Sequence, residues 1–281
     1  MRCTSGTGRG LAMAKSKSFK IQRWREGNLQ PTEEDATAIE EPLEIRVRAR
    51  SIAVTMRTPG HDDELAAGFL ITENLIHQRR DITEIAHCRE GEAAQLGNTL
   101  NVFLSPEVEV DFAQLTRHFF TSSSCGLCGK ASIESIHQRF PVIDCDAMVS
   151  VKTLAGLPNK LRAAQPTFDQ TGGLHAAGIF SLEGHLIAGR EDIGRHNAVD
   201  KVIGYAFLDQ KILSQSILLV SGRASFEIMQ KALAARIPIV AAVSAPSSLA
   251  VEFASESCQT LVGFLRDETM NIYAGTQRVR E

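Results

Sequence analysis

The sequence predicts an α/β protein in two parts: a small α+β domain over residues 41–145 and a layered α/β domain with a mixed sheet over residues 146–281, preceded by a flexible leader over residues 1–40. Two patterns carry this reading. Residues 43–57 alternate apolar and polar with period two, which marks half-buried strands. From Asp146 onward, amphipathic stretches alternate with short apolar runs, the rhythm of helices layered on a sheet. A chain of 281 residues with 43% hydrophobic and 22% charged residues has room for two ordinary domains. It can bury a core without disulfides or a structural metal.

Each element follows in order. The leader is basic and polar, with no acidic residue before Glu26 and no apolar segment of the secretory kind. Its glycine-rich stretch, Gly6 to Gly10, follows no strand, so it is a poor dinucleotide loop. Leu43, Ile45 and Val47, then Ile52, Val54 and Met56, give two strands that Pro59-Gly60 ends. Asp62, Asp63 and Glu64 suit the first turn of a helix running from Leu65 to Ile76. Strands are expected near residues 82–88 and 99–104, and a helix from Lys130 to Phe140. The second part reads as a helix over 148–164, paired strands over 174–180 and 185–189, and a helix over 194–208. A strand at 217–220, a helix around Met229, a strand at 237–243, a helix over 247–256 and a last strand at 260–265 complete it. The continuous apolar strands fit the centre of a sheet covered on both faces.

Net charge is −3, so no general basic field calls for nucleic acid. No apolar run approaches the ~20 residues of a membrane-spanning helix. Six cysteines, only two of them closely spaced, suit a reduced cytoplasmic setting better than a disulfide framework. Cys88, Cys145 and Cys258 lie in or beside apolar segments and read as small buried hydrophobes.

The pair is Cys125-Gly126-Leu127-Cys128. Glycines give the loop reach, and Lys130 with a following helix start would favour thiolate over thiol. Three chemistries remain open for such a loop. One is thiol–disulfide exchange, although no Trp precedes the pair and no Pro lies within it. Another is a metal site, which would need Cys145, His137 or a second subunit to complete it. The third is a sulfur carrier. Two further stretches suit anions. Ser221-Gly222-Arg223 follows an apolar strand and precedes a helix, so backbone N–H groups and Arg223 are placed for a phosphate. Residues 189–197 gather two arginines, two acids and His196 at another helix start.

These residues carry a resemblance. The stretch around Cys125 and Cys128, together with Arg57 to Asp62, Thr171 to Ala177, Glu191 to Lys201 and Ser221 to Arg223, resembles the FdhD family of formate dehydrogenase accessory sulfurtransferases. The resemblance runs from about residue 40 to the C-terminus. It implies that Cys125 accepts persulfide sulfur from a cysteine desulfurase, with Cys128 as helper in relay or release. The sulfur then passes to the molybdenum bis(molybdopterin guanine dinucleotide) cofactor for use by formate dehydrogenase. It implies cofactor binding by Phe264, Leu265, Arg266, Asp267, Glu268 and Thr269, for which a guanine nucleotide is a mimic. Ser221, Arg223 and His196 are inferred to add to that site. The family also implies a homodimer and a cytidine-deaminase-like second domain. Zinc deaminases need His-x-Glu and Pro-Cys-x-x-Cys at two helix starts. Here those starts read His196-Asn197-Ala198 and Ser221 to Ser225, so neither catalytic zinc nor deaminase activity is expected. A dithiol redox protein or a cofactor-binding chaperone is the alternative.

Overall fold

The computed structural model describes residues 14–88, 97–110, 112, 137 and 140–281. In chain order the strands and helices are β1 (Ser16–Ile21), β2 (Trp24–Arg25), β3 (Asn28–Leu29), β4 (Glu33–Ala38), β5 (Glu41–Val47), β6 (Arg50–Arg57), α1 (Asp62–Thr72), β7 (Ile82–His87) and β8 (Thr99–Leu104). Then come β9 (Val149–Ser150), α2 (Val151–Ala163), α3 (Pro166–Thr171), β10 (His175–Ser181), β11 (Leu186–Asp192), α4 (Arg195–Leu208), β12 (Ser216–Val220) and α5 (Phe226–Ala234). The chain closes with β13 (Ile239–Ala242), α6 (Ser248–Glu256), β14 (Thr260–Arg266), β15 (Thr269–Ala274) and β16 (Val279–Arg280).

The small part is a four-stranded sheet in the order β6-β5-β8-β7. Its period-two pattern puts Leu43, Ile45 and Val47 on one face, where they meet Leu65, Ala66 and Leu70 of α1. The helix starts and ends earlier than its apolar residues suggest, because Asp62 and Glu64 are buried as ion-pair partners and Asn74 turns the chain at φ 63°.

The large part is a six-stranded mixed sheet in the order β11-β10-β12-β13-β14-β15. β12, β13 and β14 run parallel, and β10 and β15 join them antiparallel. Leu154, Leu157 and Leu161 of α2 pack on one face of the sheet. Val199, Val202, Met229 and Phe253 from α4, α5 and α6 pack on the other, giving three layers. β12 is buried along its whole length, as its unbroken apolar run requires.

Three expectations are corrected. Residues 16–38 are not a leader: β1 and β4 pair antiparallel from Ser16↔Ala38 to Ile21↔Glu33, and β4 packs on α3. Arg23 holds the hairpin through Glu33 and Asp35, contacts that a polar sequence conceals. The strand at Thr260 is not the last, since β15 and β16 follow it. Cys258 is exposed rather than buried, while Cys88 and Cys145 are half-buried. It sits at φ 55° just beyond α6, the left-handed position that ends many helices.

The two parts meet where α1 crosses α4. A Cβ on Gly68 would lie 1.8 Å from the Asp200 carbonyl oxygen, and one on Gly204 would lie 1.8 Å from that of Glu64. Only glycine at both positions permits this approach. Among the described residues no helix is long and apolar enough to cross a membrane.

Candidate functional site

The parallel strands β12, β13 and β14 all end at one edge of the sheet. Ligands of open α/β sheets bind outside such an edge. Ser221 continues β12 by one residue: its N–H donates to the Ala176 carbonyl and its Oγ accepts from the Ala176 N–H, each at 2.9 Å. It does not cap the following helix, which begins at Phe226 after the cap residue Ser225. Ser221 lines a cleft of about 620 Å³ with His175, Val243, Arg162, Phe168, Arg266 and Asp267. Asp267 also lines a neighbouring cleft of about 710 Å³ with Glu268, Lys152 and Asn159. Pro158 and Asn159 border both clefts, which together follow α2 along the strand edge.

Gly222 leaves space above this edge; the ring of His175 is its near neighbour, 3.4 Å from where a Cβ would stand. Behind it stand the starts of α4 and α5. His196 Nε2 lies 3.4 Å from Ser225 Oγ and 3.8 Å from Glu227 Oε2. Burial, then the charge of Arg195, holds His175 below the ordinary histidine range. The same causes in the same order bring His196 down to about 4. Both rings are therefore neutral near pH 7, able to hydrogen-bond without carrying charge. Arg195 Nε is buried and has no hydrogen-bond partner among the described residues. Buried polar groups are nearly always satisfied, so this N–H is suited to an incoming acceptor. An anionic ligand would supply one, as it would to Arg266 at the cleft, where Arg162 also pairs with Asp169.

Most of the charged residues at these helix starts have structural tasks. Asp192, fully buried, accepts from Gly194 N–H at 2.8 Å and from Asn197 Nδ2 at 3.0 Å, and pairs with Lys201 Nζ at 2.7 Å. It also accepts from Thr58 N–H at 3.2 Å. Lys201 donates to the Thr58 carbonyl, and Asn197 to that of Met56. Glu191 accepts from the N–H groups of Thr167 and Phe168 at the start of α3. Arg190 grips Glu64 of α1 at 2.6 and 2.7 Å. Arg57 makes two 3.0 Å bonds to Asp62. Asp192, Lys201, Asn197 and Arg190 thus fasten the two parts together, Glu191 holds the start of α3, and Arg57 braces Asp62 within the small part.

The residues expected to bind cofactor divide accordingly. Ser221, Arg266 and Asp267 meet in one cleft, and Glu268 in its neighbour. His196 faces a third cleft of about 360 Å³, with Asn197, Glu227 and Lys231, toward the small sheet. Leu265 is fully buried in the core, Phe264 is half-buried, and Thr269 is exposed and bonds the Arg266 carbonyl. Arg223 is exposed and lines none of these clefts. Residues 264–269 are the tip of the β14–β15 hairpin, where Asp267 and Glu268 both take positive φ in a two-residue turn. Cys125 and Cys128, expected to carry the chemistry, lie outside the described residues, as does most of the helix expected over 130–140. Arg162 carries no signal in the sequence, and His175 enters only as part of the Thr171 to Ala177 stretch, without a role of its own. His175 opens β10, and only the tertiary fold carries it to Gly222.

Comparison with known proteins agrees with this architecture. A family model described as the FdhD/NarQ family matches residues 38–280. A Streptomyces coelicolor protein named sulfur carrier protein FdhD is 51% identical over 267 residues, covering 92% of this chain and 94% of its own. A Mycobacterium tuberculosis protein of the same name is 52% identical over 256 residues, covering 88% and 93%. A crystal structure from Desulfotalea psychrophila, described as a formate dehydrogenase accessory protein, superposes with a TM-score of 0.75 at 26% identity, covering 95% of this chain and all of that one.

Proposed function

The chain belongs to the FdhD/NarQ family, and on that footing we propose that it is a sulfur carrier in the maturation of formate dehydrogenase. The observation that carries this reading is the Cys125-Gly126-Leu127-Cys128 pair in a chain about half identical, over most of its length, to proteins named sulfur carriers. The proposed donor is a cysteine desulfurase bearing a persulfide. The Cys125 thiolate attacks the terminal sulfur, the S–S bond breaks, and the desulfurase leaves as its thiolate. Cys125 then holds the sulfur as a persulfide. For release, the Cys128 thiolate attacks Cys125 Sγ and expels hydrosulfide. The two electrons that reduce the sulfur come from the cysteine pair, which becomes a disulfide and is restored by a cellular dithiol.

The proposed acceptor is the molybdenum bis(molybdopterin guanine dinucleotide) cofactor, bound as substrate along the strand-edge clefts. Arg162 and Arg266 of the cleft suit its pyrophosphates, Arg195 offers a further donor near His175, and the carboxylate of Asp267 suits the N–H edge of a guanine. GDP is the corresponding mimic. The proposed assembly is a cytoplasmic homodimer that meets the desulfurase and formate dehydrogenase in turn.

The test is incubation with a cysteine desulfurase and cysteine, followed by peptide mass analysis. The expected result is the gain of one sulfur atom on the peptide holding Cys125, lost in Cys125→Ala and retained in Cys128→Ala. A wild-type protein that gains no sulfur, while binding GDP, would favour a cofactor-binding chaperone instead.

A further inference from the structure

The C-terminal segment holds a buried cation, Arg278, without an ion-pair partner among the described residues. After β15, Gly275 turns the chain at φ 70°, with its carbonyl held by Thr260 Oγ1 at 2.9 Å. A Cβ there would stand 2.4 Å from Thr260 Oγ1, so the turn requires glycine. The tight turn Thr276–Arg278 follows, and the Arg278 N–H closes it on the Gly275 carbonyl at 3.1 Å. β16 then pairs with β9 in parallel, Val279 against Val149 and Arg280 against Ser150. This pairing presses the C-terminal segment against residues 145–148 and leaves a cavity of about 360 Å³ between them. Its lining includes Arg278, Arg280, Gln277, Cys145 and Asp146.

Arg278 is 6% exposed, and both its Nε and its Nη1 are buried without a hydrogen-bond partner among the described residues. A guanidinium so buried loses its water and needs an anion in return. The one carboxylate on the cavity wall, Asp146, is exposed and makes no ion pair with it among the described residues. Arg280 is exposed at the rim and adds a second positive charge, and Gln277 adds an amide.

We propose that Arg278, Arg280 and Gln277 form a binding site for a phosphate-class oxyanion, separate from the strand-edge clefts. Its lining shares no residue with those clefts. The volume admits one such ion with several waters, each occupying ~30 Å³. Charge-assisted bonds from two guanidinium groups supply the affinity, and the burial of Arg278 strengthens them. The anion is either free inorganic phosphate or the phosphate group of a larger metabolite.

Cys145 gives a reporter on the wall of the cavity. The full chain is alkylated with iodoacetamide in phosphate or in chloride at equal ionic strength, and each cysteine peptide is quantified by mass. Phosphate is expected to slow modification of Cys145 severalfold and to leave the exposed Cys258 unchanged. Titration calorimetry should show phosphate bound at a site that weakens about tenfold in Arg280→Gln, whose exposed position leaves folding intact. The same Cys145 protection assay with ribose 5-phosphate distinguishes the sources: protection by phosphate alone marks the free ion, and protection at lower concentration by the sugar phosphate marks a phosphorylated metabolite. An unchanged Cys145 rate together with no phosphate binding, or equal affinity in Arg280→Gln, would overturn the site.

Discussion

His196 stands at the start of α4, and its surroundings decide its charge. Burial first, then Arg195, brings it from 6.5 down to about 4. Between those values the unfolded chain takes up a proton that the folded chain refuses. Stability is therefore whole above about pH 6.5 and declines as the pH falls toward 4. The side chain is 36% exposed, so the contribution is roughly 1–2 kcal/mol after allowance for solvent. Urea midpoints at pH 7 and pH 5 measure it: His196→Gln should show a shallower fall than the parent. Equal slopes would show that the ring titrates freely. At this scale the sequence identifies which residues cluster, but not their tasks. Arg190, Glu191 and Asp192 read as potential ligands because nine residues gather two arginines, two acids and a histidine. Their partners, Glu64, the start of α3 and Thr58, are distant in sequence, and only the fold reveals that these charges are already spent.

Elements with strong periodicity were legible, and elements set by turns or contacts were not. The alternation at Leu43 to Val47 and the unbroken runs at Ile217 and Ile239 locate β5, β12 and β13, whereas β6 forms where expected but turns Val54 and Met56 to solvent. α3 escapes because it has six residues, too few for an amphipathic pattern, and is held by Glu191 from β11. β15 escapes because its turn is Asp267-Glu268, both at positive φ without the glycine or asparagine such turns favour. The crossing of α1 and α4 was equally hidden, since a glycine within a helix reads as a weakness. Here it is a requirement. Gly204→Ala places a methyl 1.8 Å from the Glu64 carbonyl oxygen and 2.7 Å from the Gly68 nitrogen. Backbone atoms cannot yield as a side chain does, so a loss of about 3 kcal/mol or more is expected in urea denaturation. Gly156 in α2 is the control, with nothing within 4 Å of its Cβ position. Gly156→Ala should gain up to about 1 kcal/mol from helix propensity alone. Similar losses at both glycines would show that the crossing is loose.

At the scale of the molecule, the small sheet and the large one are joined by buried charge as well as by helix packing. Arg190–Glu64 crosses the junction, and Lys231 bonds both Asp200 of α4 and Thr72 of α1. Asp192 with Lys201 holds the Thr58 backbone and, through Asn197, the end of β6. Such pairs stabilise little relative to a well-packed apolar contact, but removing one partner strands the other in the interior. This arrangement makes the helix start that carries Arg195 and His196 part of the junction itself. A movement of the small part relative to the large one would therefore be felt at the site. Asp192→Asn keeps the shape and removes the charge, leaving Lys201, which is 1% exposed, without its carboxylate. The expected cost is about 3–5 kcal/mol. Hydrogen exchange read by mass should show α1 and α4 peptides opening together in the parent, because each closes on the other's backbone. In Asp192→Asn both should exchange faster by the same factor. If α4 alone lost protection, the two parts would be separately stable, and the buried pairs would serve α4 rather than the junction.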